Sequence, residues 1–127
     1  MLMPNVINGT HTLFVSPGFI DSHIHIMVGG EHMSTVQLRK AKSKEEMIEK
    51  IKAFITENGL KKGEWILGGD WDHENWGGSP LPDKTWFDDF TQDYPLLLNR
   101  LDGHMGVCNS LALKLANITR DTLDPPG

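Results

Sequence analysis

The stretch at residues 16–25 places the strongest constraint on the fold. It reads SPGFIDSHIH, so a Pro-Gly turn precedes an apolar run that ends in two histidines separated by one residue. An apolar run bounded by turn residues is typical of a buried strand. Side chains alternate between the two faces of a strand, so Asp21, His23 and His25 would project to one side. Two imidazoles on one face can converge on a single metal ion.

The rest of the pattern predicts an α/β fold. Residues 43–46 read SKEE, a capping box, and apolar residues follow at helical spacing until Asn58 and Gly59. Apolar segments at 64–69 and 95–100 predict two buried strands, a short helix is predicted over 83–90, and Asn109 or Ser110 would cap a last helix. Residues 31–42 carry no clear period and are expected to be a loop or a short helix. Alternating strands and helices in 127 residues suit one α/β domain.

Composition excludes several classes of protein. The net charge is −5 and lysine and arginine form no convincing basic patch, so no nucleic-acid partner is expected. No apolar run approaches the length of a membrane span, and the N-terminus lacks the pattern of a secretory signal. The single cysteine, Cys108, fits a reducing compartment and is expected to be a small core residue. We therefore expect a cytoplasmic protein that does not bind a membrane.

The histidine pair has two interpretations at this point. A chain with six histidines sometimes places two at this spacing by chance, and His-x-His alone is a weak signal. Its position at the end of a predicted buried strand favours a metal site, because α/β folds bind their ligands at strand ends. The other histidines divide differently: His11, His32 and His73 are expected to be exposed, whereas His104 directly follows a predicted strand.

Several motifs together resemble one family. The stretch at 17–25 is similar to the first barrel strand of the amidohydrolase superfamily, with its pattern PGFIDxHxH. Residues 65–72, WILGGDWD, resemble the WIxGxGWD segment of the amidohydrolase-3 branch, which includes YtcJ-like proteins and N-substituted formamide deformylases; Asp70 stands where that pattern has glycine. Leu81-Pro82, the strand after Pro95, RLDGH at 100–104 and NSLAL at 109–113 match the same branch in order. The resemblance extends from about residue 14 to the end of the chain.

The resemblance implies roles for particular residues. It makes His23 and His25 ligands of a divalent metal, with zinc as the first choice, and Asp21 either a partner of these ligands or a structural residue. It also implies substrate-binding residues in the segment after the first strand. Two of them, Asp72 and Asp102, could equally be loop-stabilising acceptors. The complete set is Trp71, Asp72, Arg100, Asp102 and His104.

The implied fold is part of a metal-dependent hydrolase (β/α)8 barrel, consisting of the first strand and the α/β insertion that follows it. We expect a single truncated domain, with residues 1–15 as a remnant preceding the barrel, 16–28 as the first barrel strand and 29–127 as insertion and connecting elements. A complete barrel needs about 250 residues. The family's further metal ligands (a lysine or acidic residue and two later histidines) and its catalytic aspartate belong to strands that this chain is expected to lack.

Two functions follow as hypotheses. The first is the N-terminal part of a metal-dependent amidohydrolase that hydrolyses C–N bonds of amide or formamide type in a small-molecule substrate, with this chain alone inactive. The second is a non-catalytic structural fragment whose uncovered barrel edges lead it to self-associate.

Overall fold

The computed structural model describes residues 17–126, which contain three α-helices and a four-stranded sheet. Two 3-10 turns, His73–Trp76 and Lys84–Trp86, lie between the second and third strands. The elements in chain order are α1 (Ile26–Ser34), β1 (Val36–Gln37), α2 (Lys44–Glu57), β2 (Ile66–Trp71), β3 (Leu96–Arg100), β4 (Gly106–Cys108) and α3 (Ser110–Leu115). The predicted α/β class is confirmed. Within the described residues, no helix is long and apolar enough to cross a membrane.

The sheet has the order β1-β2-β3-β4. β1, β2 and β3 are parallel, and β4 returns antiparallel to β3. Between β2 and β3 the register shifts from Gly69 to Trp71, so that Trp71 pairs with Arg100. Because both strands run the same way, the loops that follow Trp71 and Arg100 start side by side.

The predicted helix at residue 43 forms as α2. The Ser43 hydroxyl accepts a hydrogen bond from the Glu46 amide at 3.1 Å, which satisfies one of the free amides at the helix start. The Glu46 carboxylate accepts from the Lys42 amide at 2.9 Å, one residue before the amide that a capping box would use. Asn58 ends the helix as its C-cap, as predicted. Met47 and Ile51 are its buried residues.

The core lies on one side of the sheet. Leu96 and Leu98 are fully buried, whereas Leu97 between them is only half-buried and Leu67 on the neighbouring strand is 42% exposed. The alternation follows from the period of two along a strand. The larger buried side chains that form the core are Val36, Leu38, Met47, Ile51, Ile66, Trp71, Trp86, Phe87, Leu96, Leu98 and Val107.

The described part of the stretch predicted as the first strand, residues 16–28, contains no strand in this structure. Residues 17–25 form no strand, and Ile26–Ser34 is a helix. A strand needs a neighbour for its backbone groups, and the four strands of this sheet pair only with one another. Nor does burial stabilise the apolar side chains here, because Phe19 and Ile20 are almost completely exposed. Ser16 and the predicted remnant at 1–15 lie outside the described residues.

Two strands were not predicted. β1 lies within the segment expected to be a loop or short helix, and β4 follows the turn after β3. Each has only two or three residues, too few to produce a recognisable alternation of polar and apolar side chains. Their pairing with β2 and β3 is what makes them strands.

Candidate functional site

The two predicted metal ligands meet in a turn. The Nε2 atoms of His23 and His25 are 3.0 Å apart, and the ring centroids are 5.0 Å apart with the planes inclined at 56°. The Asp21 carboxylate accepts a hydrogen bond from the backbone amide of His23 at 3.0 Å, which stabilises the turn. Both imidazoles are exposed. The convergence predicted for one face of a strand is therefore achieved by a bend in the chain.

This geometry fits two ligands of a metal ion. Tetrahedral zinc with bonds of about 2.0–2.1 Å to nitrogen separates two ligand nitrogens by about 3.4 Å, so a small rotation of either ring would suffice. The same 3.0 Å distance also suits a hydrogen bond between a neutral N–H and the other nitrogen. Between residues 17 and 126 no group of three or more histidine, cysteine, aspartate or glutamate side chains could hold a metal. The pair would therefore supply part of a coordination sphere.

Three of the predicted substrate-binding residues lie at the end of β3 and in the loop that follows it. The Asp102 carboxylate accepts a hydrogen bond from the His104 amide at 3.1 Å, and its other oxygen lies 3.5 Å from Nη1 of Arg100. The His104 amide, and to a smaller extent the Arg100 guanidinium, lower the pKa of Asp102 below its ordinary value. Asp102 thus stabilises its loop, one of the two alternatives stated for it, and also orients Arg100.

This loop is attached to β2. The Leu101 amide donates to the Trp71 carbonyl at 2.9 Å, and the Arg100 amide donates to the Met105 carbonyl at 2.7 Å. Hydrogen bonds on both sides therefore fix the backbone at Arg100, from which the guanidinium extends. Its side chain is about a quarter exposed and can reach solvent.

The two other predicted residues lie at the end of β2. Trp71 is 1% exposed, and its indole N–H donates to the Leu98 carbonyl at 2.9 Å. It is a core residue in this structure, with almost no surface for a ligand. The Asp72 carboxylate accepts from the Glu74 amide at 3.1 Å and begins the turn at His73–Trp76. This hydrogen bond fits the second interpretation of Asp72, a loop-stabilising acceptor, and its role in substrate binding stays a prediction.

The two groups of predicted site residues are not connected by polar contacts. Within residues 17–126, no hydrogen bond or ion pair joins His23 or His25 to Arg100, Asp102 or His104. The structure brings together the residues at the ends of β2 and β3, and it brings together the two histidines. It does not bring these two sets into contact.

His73 was predicted to be exposed, and that is wrong. Its side chain is 12% exposed, its ring lies edge-on to Trp71 at 6.2 Å between centroids, and its Nδ1 is buried without a hydrogen bond. The turn after β2 folds this ring back over Trp71. His32 is exposed as predicted, and His11 lies outside the described residues. Cys108 is half-buried, and desolvation raises the pKa of its thiol.

Asp70 is a feature that the site prediction missed. Its φ is +51°, in the left-handed region, and its carboxylate lies 3.6 Å from Nε2 of His32 on α1. A cavity of about 280 Å³ opens between α1 and the sheet beside this contact; its lining includes Glu31, His32, Asp70, Leu97 and Asn99. The signal in the sequence was the aspartate at a position where the resembling pattern has glycine. Glycine is the residue that adopts positive φ without strain.

A family model and several known proteins match the sequence of this chain. The Amidohydrolase family model matches residues 12–127. The protein LONG AFTER FAR-RED 3 of Arabidopsis thaliana is 44% identical over 113 residues, which cover 89% of this chain and 19% of that protein. YtcJ of Bacillus subtilis (strain 168), whose name assigns it to the amidohydrolases, is 34% identical over 111 residues, which cover 87% of this chain and 21% of that protein.

A solved structure of a metal-dependent hydrolase is also similar to this chain. An uncharacterised metal-dependent hydrolase from Pyrococcus horikoshii OT3 superposes with a TM-score of 0.56 at 31% identity, over 84% of this chain and 20% of that one. This chain spans about a fifth of the length of the proteins it matches. Because nearly the whole of the chain matches the family, and sequence and fold agree, the chain belongs to the amidohydrolase family.

Proposed function

We propose that this chain is part of a metal-dependent amidohydrolase that hydrolyses C–N bonds of amide or formamide type, and that His23 and His25 are two of its metal ligands. The observation that carries the proposal is the convergence of the two Nε2 atoms at 3.0 Å, in a chain whose residues 12–127 match the family. The names of its solved relatives include metal dependence. Zinc is the metal we expect, because two imidazoles suit its preference for nitrogen ligands.

We also propose that this chain forms part of a larger barrel domain. Residues 17–25 would become the first strand of a (β/α)8 barrel when neighbouring strands are available to pair with them. The exposure of Phe19 and Ile20 supports this, because apolar side chains of a barrel strand are buried only by the rest of the barrel. The four-stranded unit from β1 to α3 would be the insertion after that strand.

Each residue has a task in this scheme. A bound divalent ion would polarise the substrate carbonyl and lower the pKa of a water ligand. His23 and His25 would hold that ion as neutral imidazoles, with the turn at Asp21 keeping them together. Arg100 would offer N–H donors to a polar substrate group, and Asp102 would keep both Arg100 and the His104 amide in place. Trp71 would act indirectly, by anchoring β2 to β3.

Metal binding by the purified 127-residue chain tests the proposal. We expect the chain to bind one zinc ion weakly, since it supplies only part of a coordination sphere, and the double variant His23→Ala/His25→Ala to lose that binding. His104→Ala is the matched control, because it removes an exposed imidazole from the other group and should leave zinc binding unchanged. Isothermal titration calorimetry measures the affinity. Equal zinc binding by the double variant and the parent chain, or no zinc binding by the parent, would overturn the assignment.

The catalytic part of the proposal is tested in a longer protein that contains this sequence. There, we expect loss of one histidine of the pair to abolish hydrolysis of the C–N substrate, and Arg100→Gln to raise KM more than it lowers kcat. The isolated chain should not hydrolyse simple amides or formamides. Hydrolysis by the isolated chain at a rate abolished by His23→Ala would contradict the expectation that it is incomplete.

The alternative is a non-catalytic fragment that self-associates. The nearly complete exposure of Phe19, Ile20 and Met33 favours it, because apolar surface of this kind is rarely left in water. A chain that binds no metal and forms oligomers in gel filtration would support this alternative over the first proposal.

A further inference from the structure

We infer that Asp70 and His32 hold helix α1 against the sheet, so that Asp70 is a positioning residue for the histidine pair that precedes this helix. The part concerning metal binding rests on the proposed function. The part concerning the helix stands on geometry alone and has its own test.

Burial does not place α1. None of its residues is buried, and its apolar side chains at Ile26, Met27 and Met33 are between 71% and 90% exposed. A helix of nine residues is also too short to be stable by itself in water. Val28, which is 48% exposed, adds little burial, so apart from its one-residue link to β1 the position of α1 depends on its polar contacts.

Those polar contacts are concentrated at the C-terminal end of α1. The His32 carbonyl accepts hydrogen bonds from the side chains of Thr35, at 3.3 Å, and Gln37. Thr35 follows the helix directly and Gln37 lies in β1, so these bonds tie the end of α1 to the first strand of the sheet. The contact between Nε2 of His32 and Oδ2 of Asp70, at 3.6 Å, instead joins the helix to the second strand of the sheet.

Asp70 is placed for this contact by an irregularity in β2. The register shift between Gly69 and Trp71 takes Asp70 out of the regular ladder, with φ at +51°. A non-glycine residue in this region costs about 1–2 kcal/mol, although aspartate tolerates it better than most residues. The carboxylate is 22% exposed and borders the cavity beneath α1, where Glu31 is a second acidic group.

The same helix carries one of the histidines. His25 is the N-cap residue of α1, and its carbonyl accepts a hydrogen bond from the Gly29 amide at 2.9 Å. His32 is seven residues further along, which is about 10 Å at the rise of an α-helix. A change in the tilt of α1 about its C-terminal end would therefore displace the His25 imidazole relative to the sheet.

A distance measurement between α1 and α2 tests the first part. In a Cys108→Ser background, nitroxide labels at Met27→Cys and Glu49→Cys report the separation of the two helices by pulsed electron spin resonance; both positions are exposed. We expect one narrow distance peak, and its loss in Asp70→Asn, which keeps tolerance of positive φ but removes the charge. His32→Ala should have the same effect, and combining the two substitutions should add nothing.

Two further variants separate a specific contact from a general loss of structure. His32→Lys keeps a cationic side chain opposite Asp70 and should restore the narrow peak. Asp93→Asn breaks the exposed Lys62–Asp93 ion pair of 2.7 Å elsewhere and should leave the peak unchanged. A narrow, unshifted peak in Asp70→Asn would overturn the inference, as would equal broadening in Asp93→Asn.

Zinc titration of the same variants tests the second part. We expect Asp70→Asn to weaken zinc binding although both ligands are present, and His32→Lys to bind as the parent chain does. If the parent chain binds no zinc, the proposed function fails while the distance result stands. If zinc binding is normal in Asp70→Asn despite a broadened peak, Asp70 positions the helix but not the ligands, and that overturns this part alone.

Discussion

Among the glycines that the structure describes, Gly68 is subject to the tightest steric limit. Its φ is +98°, and a Cβ at this position would lie 2.5 Å from both Cβ and Oγ1 of Thr35. Thr35 immediately precedes β1, and Val36 of β1 pairs with Gly68. The missing side chain is therefore what allows the first strand to approach the second.

We expect Gly68→Ala to lower the free energy of unfolding by about 3 kcal/mol or more, because backbone strain and a steric clash act together. Gly77→Ala is the matched control: its φ is +86°, but nothing lies within 4 Å of the added Cβ. That variant should lose only about 1–2 kcal/mol from strain. Urea denaturation followed by tryptophan fluorescence measures both. Equal losses would contradict a steric role for Gly68.

Asp102 provides a prediction about pH. The His104 amide, followed by Arg100, lowers its pKa in the folded chain. A carboxyl group whose folded pKa is below its unfolded value stabilises the fold above the unfolded pKa, and this contribution disappears as pH falls through the folded pKa. We expect the 13C carboxyl resonance of Asp102 to titrate below that of the urea-unfolded chain. Arg100→Gln should reverse only the smaller part of the difference. A midpoint equal to the unfolded one would show that the hydrogen bond is absent in solution.

At the scale of elements, Asn109 connects β3, α3 and the segment that precedes β3. Its side-chain oxygen accepts from the Leu96 amide at 3.1 Å and from the Ala112 amide at 2.9 Å, so it pairs with the start of β3 and caps α3. Its amide group donates to the carbonyls of Thr91 and Tyr94 in the segment before β3. Asn109 is 1% exposed, and all of these bonds are shielded from water.

We expect Asn109→Ala to lower the free energy of unfolding by about 3–5 kcal/mol, because it leaves several buried amides and carbonyls without partners. Asn58→Ala is the control, since Asn58 is exposed and donates one side-chain hydrogen bond to the Phe54 carbonyl at 2.9 Å. Its loss should cost no more than about 1 kcal/mol. Thermal and urea unfolding of the two variants give the comparison. Similar stabilities would mean that the Asn109 network does not hold the elements together.

The elements differ in how far their sequence predicts them. The caps at Ser43 and Asn109 lie next to the helices they begin, so α2 and α3 could be recognised from local patterns. The apolar run after residue 17 gives an equally good strand pattern. It forms no strand in the described chain because a strand depends on a partner that may be far away in sequence, and a helix does not.

For the whole molecule, the important feature is the face of the sheet that α1 covers only in part. Leu67 is exposed and Leu97 and Cys108 are half-buried there, opposite the face that α2 and Phe87 help to cover. Parallel strands are ordinarily covered on both faces. The self-association predicted for an isolated fragment would be driven by this face together with the exposed apolar residues of 17–34.

We expect sedimentation velocity to show oligomers of the 127-residue chain whose fraction rises with concentration, and Leu67→Glu to reduce that fraction. The charge would have to be desolvated in any contact that uses this face. Leu81→Glu is the control, because Leu81 is exposed to a similar degree but lies in the loop after β2. A monomeric parent chain, or equal effects of both substitutions, would contradict a role for the sheet face in association.

The sequence by itself determined the family and the parts of the fold whose causes are local. The motif at 17–25 with those at 65–72 and 100–113 indicated an amidohydrolase, and helix caps and apolar runs located α2, β2, β3 and α3. Only the tertiary structure decided that Trp71 is buried and His73 largely buried, that Gly106–Cys108 is a strand, and that His23 and His25 meet in a turn. The physical reason is range: a cap or a helical period acts between neighbours in sequence, whereas burial and strand pairing depend on which distant segments are present to supply a partner.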